Sequence, residues 1–324
     1  MRIFVAGGAG YIGSCTTEYL LDHGHEVAVY DALLNGHRKA VDPRAKFYHA
    51  NLEDTKALDD AMSDFKPEGV IHFAAFIEVG ESMKDPGKYF NNNVGNAIKL
   101  AEAAHKANVR KVVFSSTAAV YGMPKHVPIN EEQPKLPINP YGESKLMFEH
   151  VLEWYMKIHK MQFTALRYFN AAGATEIHGE DHNPETHLIP LIIQAAMGKR
   201  ESISIFGKDY DTPDGTCIRD YVHVLDLAQA HLLALLHDGS DAFNLGSGCG
   251  YSVKEVIETV REVTGKEFKV QEAERRPGDP ARLIADSTKA RTVLGWKPQF
   301  DNLEAIVSSA WNWRMMHPVG YCDK

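Results

Sequence analysis

Cysteine is scarce. The 324 residues hold four (Cys15, Cys217, Cys249 and Cys322), scattered and without a Cys-x-x-Cys pair. That excludes a disulfide scaffold and gives no sign of zinc or dithiol redox chemistry. Long apolar runs are also missing, and none approaches the roughly 18 residues that a bilayer helix needs. The apolar start is broken by Gly7 and Gly8, too short for a signal-peptide core. No Asn-x-Ser/Thr acceptor occurs, which is a weak argument against secretion. Nor is positive charge in excess: 35 Lys and Arg against 43 Asp and Glu leave −8. That balance argues against a nucleic-acid partner or a polybasic membrane surface, while leaving room for a local basic pocket for phosphate. There is no internal repeat or low-complexity tract. The expectation is a cytoplasmic protein with no membrane and no nucleic-acid partner.

What is present is ordinary for a folded chain, 44% hydrophobic and 24% charged. At roughly 100–200 residues per domain, the length allows two domains or one large α/β unit. Short apolar, β-branched runs at 3–6, 26–30, 46–50, 69–74, 111–115 and 163–168 alternate with helical patterns at 11–23, 55–65, 87–108 and 141–159. Strands apolar on both faces, separated by amphipathic helices, predict a parallel sheet covered on both sides. The fold class is therefore α/β, a doubly wound parallel sheet of Rossmann type. Past Asn170 the texture changes. Residues 171–185 are rich in Gly, Asn, Asp and His, 188–197 read as a helix and 208–215 as a polar loop. Residues 221–236 read as a strand then a helix returning to the sheet, and 252–265, 287–294 and 303–315 as mostly helical. These patterns predict a dinucleotide-binding domain from 1–170 and 217–246. A smaller, discontinuous C-terminal α/β substrate domain would take 171–216 and 247–324.

Gly7, Gly10 and Gly13 follow the first strand and open the first helix. Glycines there permit a tight turn, close approach of backbone N–H groups to a pyrophosphate, and close helix–sheet packing; the helix N-terminus adds partial positive charge. Asp31 lies 18 positions past Gly13, ending the second strand. Its carboxylate can accept from an adenosine ribose diol and would repel a 2′-phosphate, which favours NAD over NADP. A glycine cluster alone is only a turn; strand, helix and acid in this order point to a dinucleotide.

Tyr141 and Lys145 stand four apart at the start of a long amphipathic helix and so share a face. An ammonium near a phenol favours the phenolate, which could take a proton from a substrate hydroxyl while hydride leaves the same carbon. Such pairs usually lie on solvated helix faces. Here the strand 111–115 ends in Ser115-Ser116-Thr117, a hydroxyl cluster at the carboxyl end of a sheet strand, where such folds bind ligands.

Gly-x-x-Gly-x-x-Gly, Ser-Ser-Thr-Ala-Ala-Val-Tyr-Gly (115–122), Tyr-Gly-Glu-Ser-Lys (141–145) and Arg-Tyr-Phe-Asn (167–170) resemble the extended short-chain dehydrogenase/reductase family. Within it the chain is most similar to the nucleotide-sugar 4-epimerases, nearly end to end. The match includes His72-Phe73-Ala74-Ala75, Val79-Gly80-Glu81-Ser82, Arg219-Asp220-Tyr221-Val222-His223-Val224, Asn244-Leu245-Gly246 and Trp311-Asn312-Trp313. The resemblance implies NAD-dependent epimerisation at C4 of a UDP-hexose through a transient 4-keto sugar. Tyr141 would be the base, Thr117 the hydroxyl bonding the 4-oxygen, and Lys145 the group that tunes Tyr141 and holds the nicotinamide ribose. It implies a cofactor lining of Gly7, Gly10, Tyr11, Ile12, Gly13, Asp31, Asn35, Asn51, Leu52, Phe73, Ala74, Asn93, Ser115, Tyr141, Lys145 and Tyr168. For the UDP-sugar it implies Thr117, Asn170, Leu188, Phe206, Arg219, Arg276 and Asp279; two guanidinium forks suit a diphosphate. A homodimer through the helices 87–108 and 141–159 is implied in the same way.

Three positions depart from the family pattern. Ile77 stands where a lysine often approaches the cofactor, and Asn51-Leu52 where an Asp-Ile pair often holds the adenine. Leu283 matches a bulky tyrosine that restricts the sugar pocket in some members; a smaller residue there could admit an N-acetyl group at C2. Epimerisation of UDP-N-acetylhexosamine or of a UDP-pentose therefore stays open as an alternative. Relatives that eliminate water or carbon dioxide place acidic residues in the segment that reads Thr117-Ala118-Ala119 here, and no carboxylate is present. A non-catalytic NAD-sensing protein would have no need for both Tyr141 and Lys145. His178 and His182, four apart, resemble a zinc helix, but Gly179 and Pro184 point to a loop. No metal is expected.

Overall fold

The computed structural model describes residues 1–276 and 278–323. Seven strands pair in parallel in the spatial order Asp241–Leu245, Gln162–Tyr168, Lys111–Thr117, Gly69–His72, Arg2–Ala6, Glu26–Asp31 and Lys46–His49. Side chains alternate along a strand, so each central strand feeds two apolar layers. Ile3, Val5, Val27 and Val29 lie in the layer with Leu20, Leu227 and Leu235 of the helices Tyr11–Asp22 and Val224–Leu236. Phe4, Ala28, Val70 and Val112 face the other way, onto Leu58, Leu100 and Phe148 of Thr55–Phe65, Ala97–Lys106 and Pro140–His159. Burial on both faces is what the continuous apolar runs predict.

From Arg2–Ala6 the chain runs outward to Lys46–His49, then crosses back to Gly69–His72 on the other side of its first strand. Where strand order reverses in this way, the carboxyl ends of the strands open a crevice.

Four expectations need correction. The helix expected over 87–108 is Pro86–Phe90 and Ala97–Lys106 joined by a π-helical stretch, Asn91–Asn96. Three successive asparagines are poor helix formers, and a π-turn there lets Asn93 reach the loop at Phe76. The strand expected to stop at Ser115 continues to Thr117, because Ser116 and Thr117 pair with Arg167 and Tyr168. The strand at 221 does not join the large sheet. Ile218–His223 pairs with Asn170–Ala172, Gly250–Ser252 and Arg282–Leu283 in a second, four-stranded sheet. The strand that returns to the large sheet is Asp241–Leu245, beyond the helix. Finally, the last third is less helical than its periodicity suggests, since Ser202–Phe206 and Lys269–Ala273 form a parallel pair. These, with the helices Leu188–Ala196, Val253–Thr264 and Leu303–Met316, surround a separate core that includes Ile192, Ile203, Val256 and Ile306. Among the described residues no helix is long and apolar enough to cross a membrane.

Candidate active site

The glycine turn stands at the reversal of strand order. Gly7 has φ +85° and its N–H donates to Tyr30 O at 2.9 Å. A Cβ on Gly7 would lie 2.4 Å from the Ala74 nitrogen, and one on Gly13 would lie 2.2 Å from the Gly7 carbonyl oxygen. The turn therefore packs against its own helix and the neighbouring strand with room for glycine alone. Gly10 is the extended residue before the helix, and no side chain caps the helix start that Tyr11 and Ile12 form. The Tyr11 hydroxyl donates to Gly173 O at 2.6 Å, so its backbone faces the turn while its phenol anchors the 173 loop. Asp31 ends its strand and accepts from the N–H groups of Ala9 (2.9 Å) and Leu33 (2.8 Å).

The outer part of this cleft is mixed. Asn35 is exposed and Leu52 is buried in the apolar layer. The Asn51 side-chain oxygen accepts from the Glu53 N–H at 3.0 Å. Phe73 packs on His231, with ring centroids 4.7 Å apart, and the Ala74 N–H donates to Ala6 O at 3.1 Å. Asn93 is fully employed: its amide bonds both backbone groups of Phe76 at 2.9 Å and Ser144 Oγ at 3.2 Å, clamping the loop that carries Ile77.

Tyr141 is placed by a helix start. Asn139 caps Pro140–His159 by accepting from the Gly142 N–H at 2.8 Å, and Pro140 supplies the preset φ of the first helical position. Gly142 is required there, because a Cβ would meet the Ala119 oxygen at 2.7 Å. The helix thus lies against the turn after Thr117, which brings the Thr117 side chain close enough to the Tyr141 phenol to act on it. Lys145, one turn on, reaches back beneath the strand: its Nζ donates to Ser115 O at 2.8 Å and lies 5.9 Å from the Tyr141 ring centroid. Tyr168 stands beside them, its hydroxyl 3.3 Å from His231 Nε2 and its backbone paired with Thr117. Ser115 and Thr117 share one face of the strand and Ser116 points to the other, as period-two alternation requires.

The electrostatics modify one expectation. Burial pushes the Lys145 ammonium down to about 7, so it is a weak cation at neutral pH. Burial raises the Tyr141 phenol above its usual 10, opposed only by the nearby Thr117 side chain. Lys145 therefore does not by itself produce a phenolate in the chain alone.

Sequence reasoning missed the group behind this site. Ser116 Oγ donates to Glu149 Oε1 at 2.6 Å, and Arg167 forks onto the same carboxylate at 2.9 and 2.5 Å. Arg167 Nη1 also donates to the Tyr121 hydroxyl at 2.9 Å, which in turn donates to Asn244 Oδ1 at 2.8 Å. Both charged side chains are only 4% exposed. Glu149 lies two turns beyond Tyr141 on the same helix face, a spacing that could have flagged it. Removing one partner of a buried pair leaves the other unpaired, so Glu149→Ala should cost about 3–5 kcal/mol of folding stability. Denaturant unfolding checks this, and a loss below about 1 kcal/mol would mean that the pair behaves as a surface pair does.

The residues expected at the nucleotide sugar lie on the second sheet and the elements around it. Arg219 pairs with Asp279 and donates to Ile218 O at 2.7 Å, and Arg276 lies 4.1 Å over the Phe206 ring. Cys217 is buried near them, and burial raises its thiol, with Arg219 lowering and Asp279 raising it in turn. Asn170 donates to Asp220 O at 2.7 Å, and Leu188 opens the helix Leu188–Ala196. The i, i+4 histidine pair does not form: the buried His178 ring stands 3.5 Å from the Tyr321 hydroxyl, while His182 turns to Glu180 at 3.1 Å.

The glycine cradle, the unencumbered helix start and the acid ending the second strand fit a dinucleotide. The NAD dependent epimerase/dehydratase family model matches residues 3–246, and the chain belongs to that family. More particularly, it is 52% identical over 330 residues to the UDP-glucose 4-epimerase of Lacticaseibacillus casei, with all of both chains covered. A crystal structure of a UDP-glucose 4-epimerase superposes with TM-score 0.97 at 50% identity, covering 99% of each chain. That of the Brucella ovis UDP-glucose 4-epimerase in complex with NAD gives 0.93 at 44% identity, covering 96% of this chain and 97% of that one.

Proposed function

We propose that this chain interconverts UDP-glucose and UDP-galactose by NAD-dependent epimerisation at C4. The observation that carries the reading is the placing of Thr117, Tyr141 and Lys145 together at the carboxyl end of the strand Lys111–Thr117, beside the glycine turn, with Lys145 Nζ bonded to Ser115 O. The turn and Asp31 would hold NAD through its pyrophosphate and adenosine ribose, and Lys145 and Tyr168 would border the nicotinamide end. When bound, NAD supplies a reversible acceptor for the C4 hydride and a cationic ring that favours the phenolate.

Tyr141 then takes the O4 proton as the C4 hydrogen departs as hydride with its electron pair, which leaves a carbonyl at C4. Thr117 donates to that oxygen and steadies its changing charge. The keto sugar turns, the hydride returns to its other face, and Tyr141 gives the proton back to O4. Arg219 and Arg276 would hold the diphosphate throughout, so that the sugar can turn without leaving. Purified protein incubated with UDP-galactose and no added NAD should form UDP-glucose; no conversion even with added NAD would reject the reading.

Leu283 favours a second substrate pair. It sits opposite Arg219 in the second sheet and packs on Val120, Tyr121, Ile129 and Leu146, and its own side chain brings no hydroxyl. We expect measurable turnover of UDP-N-acetylglucosamine; equal-concentration assays that detect none would refute it. The helices Ala97–Lys106 and Pro140–His159 expose Ile98, Met147, Trp154 and Ile158, and we propose that this face forms a homodimer. Light scattering that gives 36.1 kDa rather than twice that mass would contradict it.

A further inference from the structure

We propose that Glu180, His182, Glu185 and His187 form a binding site for one divalent cation of the zinc class, apart from the catalytic groups. One donor atom from each lies within 4.8 Å of the others. Glu180 Oε1 is 3.1 Å from His182 Nδ1 and 2.8 Å from His187 Nδ1, and Glu185 Oε1 is 2.9 Å from His187 Nδ1. Bonds of about 2.0–2.2 Å in a tetrahedral site put neighbouring donors roughly 3.3–3.5 Å apart. The three close pairs therefore need to open by about half an ångström, and the wider ones, up to 4.8 Å apart, to draw in by about 1.5 Å at most, for all four to meet one ion.

A second observation points into the same place. Glu185 is 4% exposed, and its other oxygen, Oε2, is buried without a hydrogen-bond partner. A buried carboxylate oxygen without a donor is costly, and a cation relieves that cost. Two carboxylates and two neutral imidazoles sum to a charge of −2, which a divalent ion neutralises. Two nitrogen donors with two oxygens favour zinc, cobalt or nickel over magnesium or calcium, which take oxygen ligands. His187 is 41% exposed and gives an entry path.

The site stands at a junction. The edge of the His182 ring meets Tyr11 at the start of the glycine-turn helix, with centroids 6.4 Å apart. His187 is the residue before the helix Leu188–Ala196, and the Thr186 hydroxyl donates to Glu78 at 2.9 Å. A cation here ties the segment 180–187 into one rigid clasp between the dinucleotide turn and the helix that Leu188 opens.

The test uses full-length protein treated with chelator, dialysed, and titrated calorimetrically with ZnCl2. One Zn2+ per chain is expected, with a rise in Tm of roughly 5 °C at a hundredfold excess over Kd. His182→Ala/His187→Ala should weaken uptake at least tenfold, while His159→Ala on a distant helix leaves it unchanged. X-ray absorption of the zinc-loaded wild type needs no variant to fold: two imidazole nitrogens and two oxygens support the site. No stoichiometric uptake would mean that the four groups are an ion-pair cluster only, and would overturn the proposal. So would equal uptake by the double variant, or sulfur ligation through the exposed Cys249 or Cys322.

Discussion

Tyr141→Phe should lower turnover of UDP-galactose by roughly 10³-fold, within the range that positioned acid–base groups supply. The expectation follows from how little else at the site can move the O4 proton. Thr117 is a hydroxyl of high pKa, and Lys145 is spent on Ser115 O. The histidines near the site are otherwise engaged: His231 Nδ1 bonds Leu227 O and its Nε2 meets Tyr168, while His72 is buried between Phe114 and Phe148. The change removes one oxygen and leaves the ring, so bound NAD and the Michaelis constant should change little. The loss should fall on kcat, as it does when an interaction made in the transition state is removed. Because burial raises the phenol, wild-type turnover should climb with pH as more phenolate forms. A Phe variant with intact kcat would remove Tyr141 from the role of base.

Gly13→Ala should abolish stable NAD retention, a loss of at least tenfold in nucleotide carried through purification. Alanine in a helix is ordinarily favoured over glycine by about 1 kcal/mol, so propensity alone predicts a more stable protein. The contacts reverse the sign. The added methyl would lie 2.2 Å from the Gly7 carbonyl oxygen and 2.8 Å from Gly8 Cα, both backbone, so no side chain can swing aside to make room. Either the helix lifts from the turn or the turn opens, and both displace the N–H groups that would meet the pyrophosphate. Gly80→Ala is the matched control, since a Cβ there meets nothing within 4 Å. Absorbance at 260 nm of the denatured supernatant reports the nucleotide. A Gly13→Ala variant with full NAD content would show that the close packing is not needed for binding.

Much of this was legible in the chain because the signals are local. The strand, glycine turn, helix and acid occupy 31 consecutive positions, and Tyr141 and Lys145 share a face by spacing alone. What sequence reading lost has a physical cause in each case. Thr117 joins the strand because of its partner Tyr168, 51 positions away, and no local run records that pairing. The stretch from Tyr221 reads as a strand returning to the large sheet, yet Ile218–His223 pairs with Asn170–Ala172, Gly250–Ser252 and Arg282–Leu283. Periodicity identifies a strand and is silent on which sheet receives it. The break in 87–108 was written in three asparagines, but its purpose, the clamp from Asn93 to Phe76, is tertiary. At 178–187 the sequence reading set the i, i+4 histidine pair aside as a loop, and no local rule named what His182 meets instead. Without a helix there, His178 turns inward and His182 meets Glu180, Glu185 and His187 instead.

The central claim is that the C4 hydrogen leaves and returns within one closed site, while only the O4 proton moves through Tyr141. UDP-galactose deuterated at C4 and incubated with the protein in ordinary water tests this directly by NMR of the product. The account predicts UDP-glucose with its C4 deuterium retained. Product that carries solvent hydrogen at C4 would contradict it, because exchange there requires a proton abstraction from carbon that Tyr141, Thr117 and NAD do not provide.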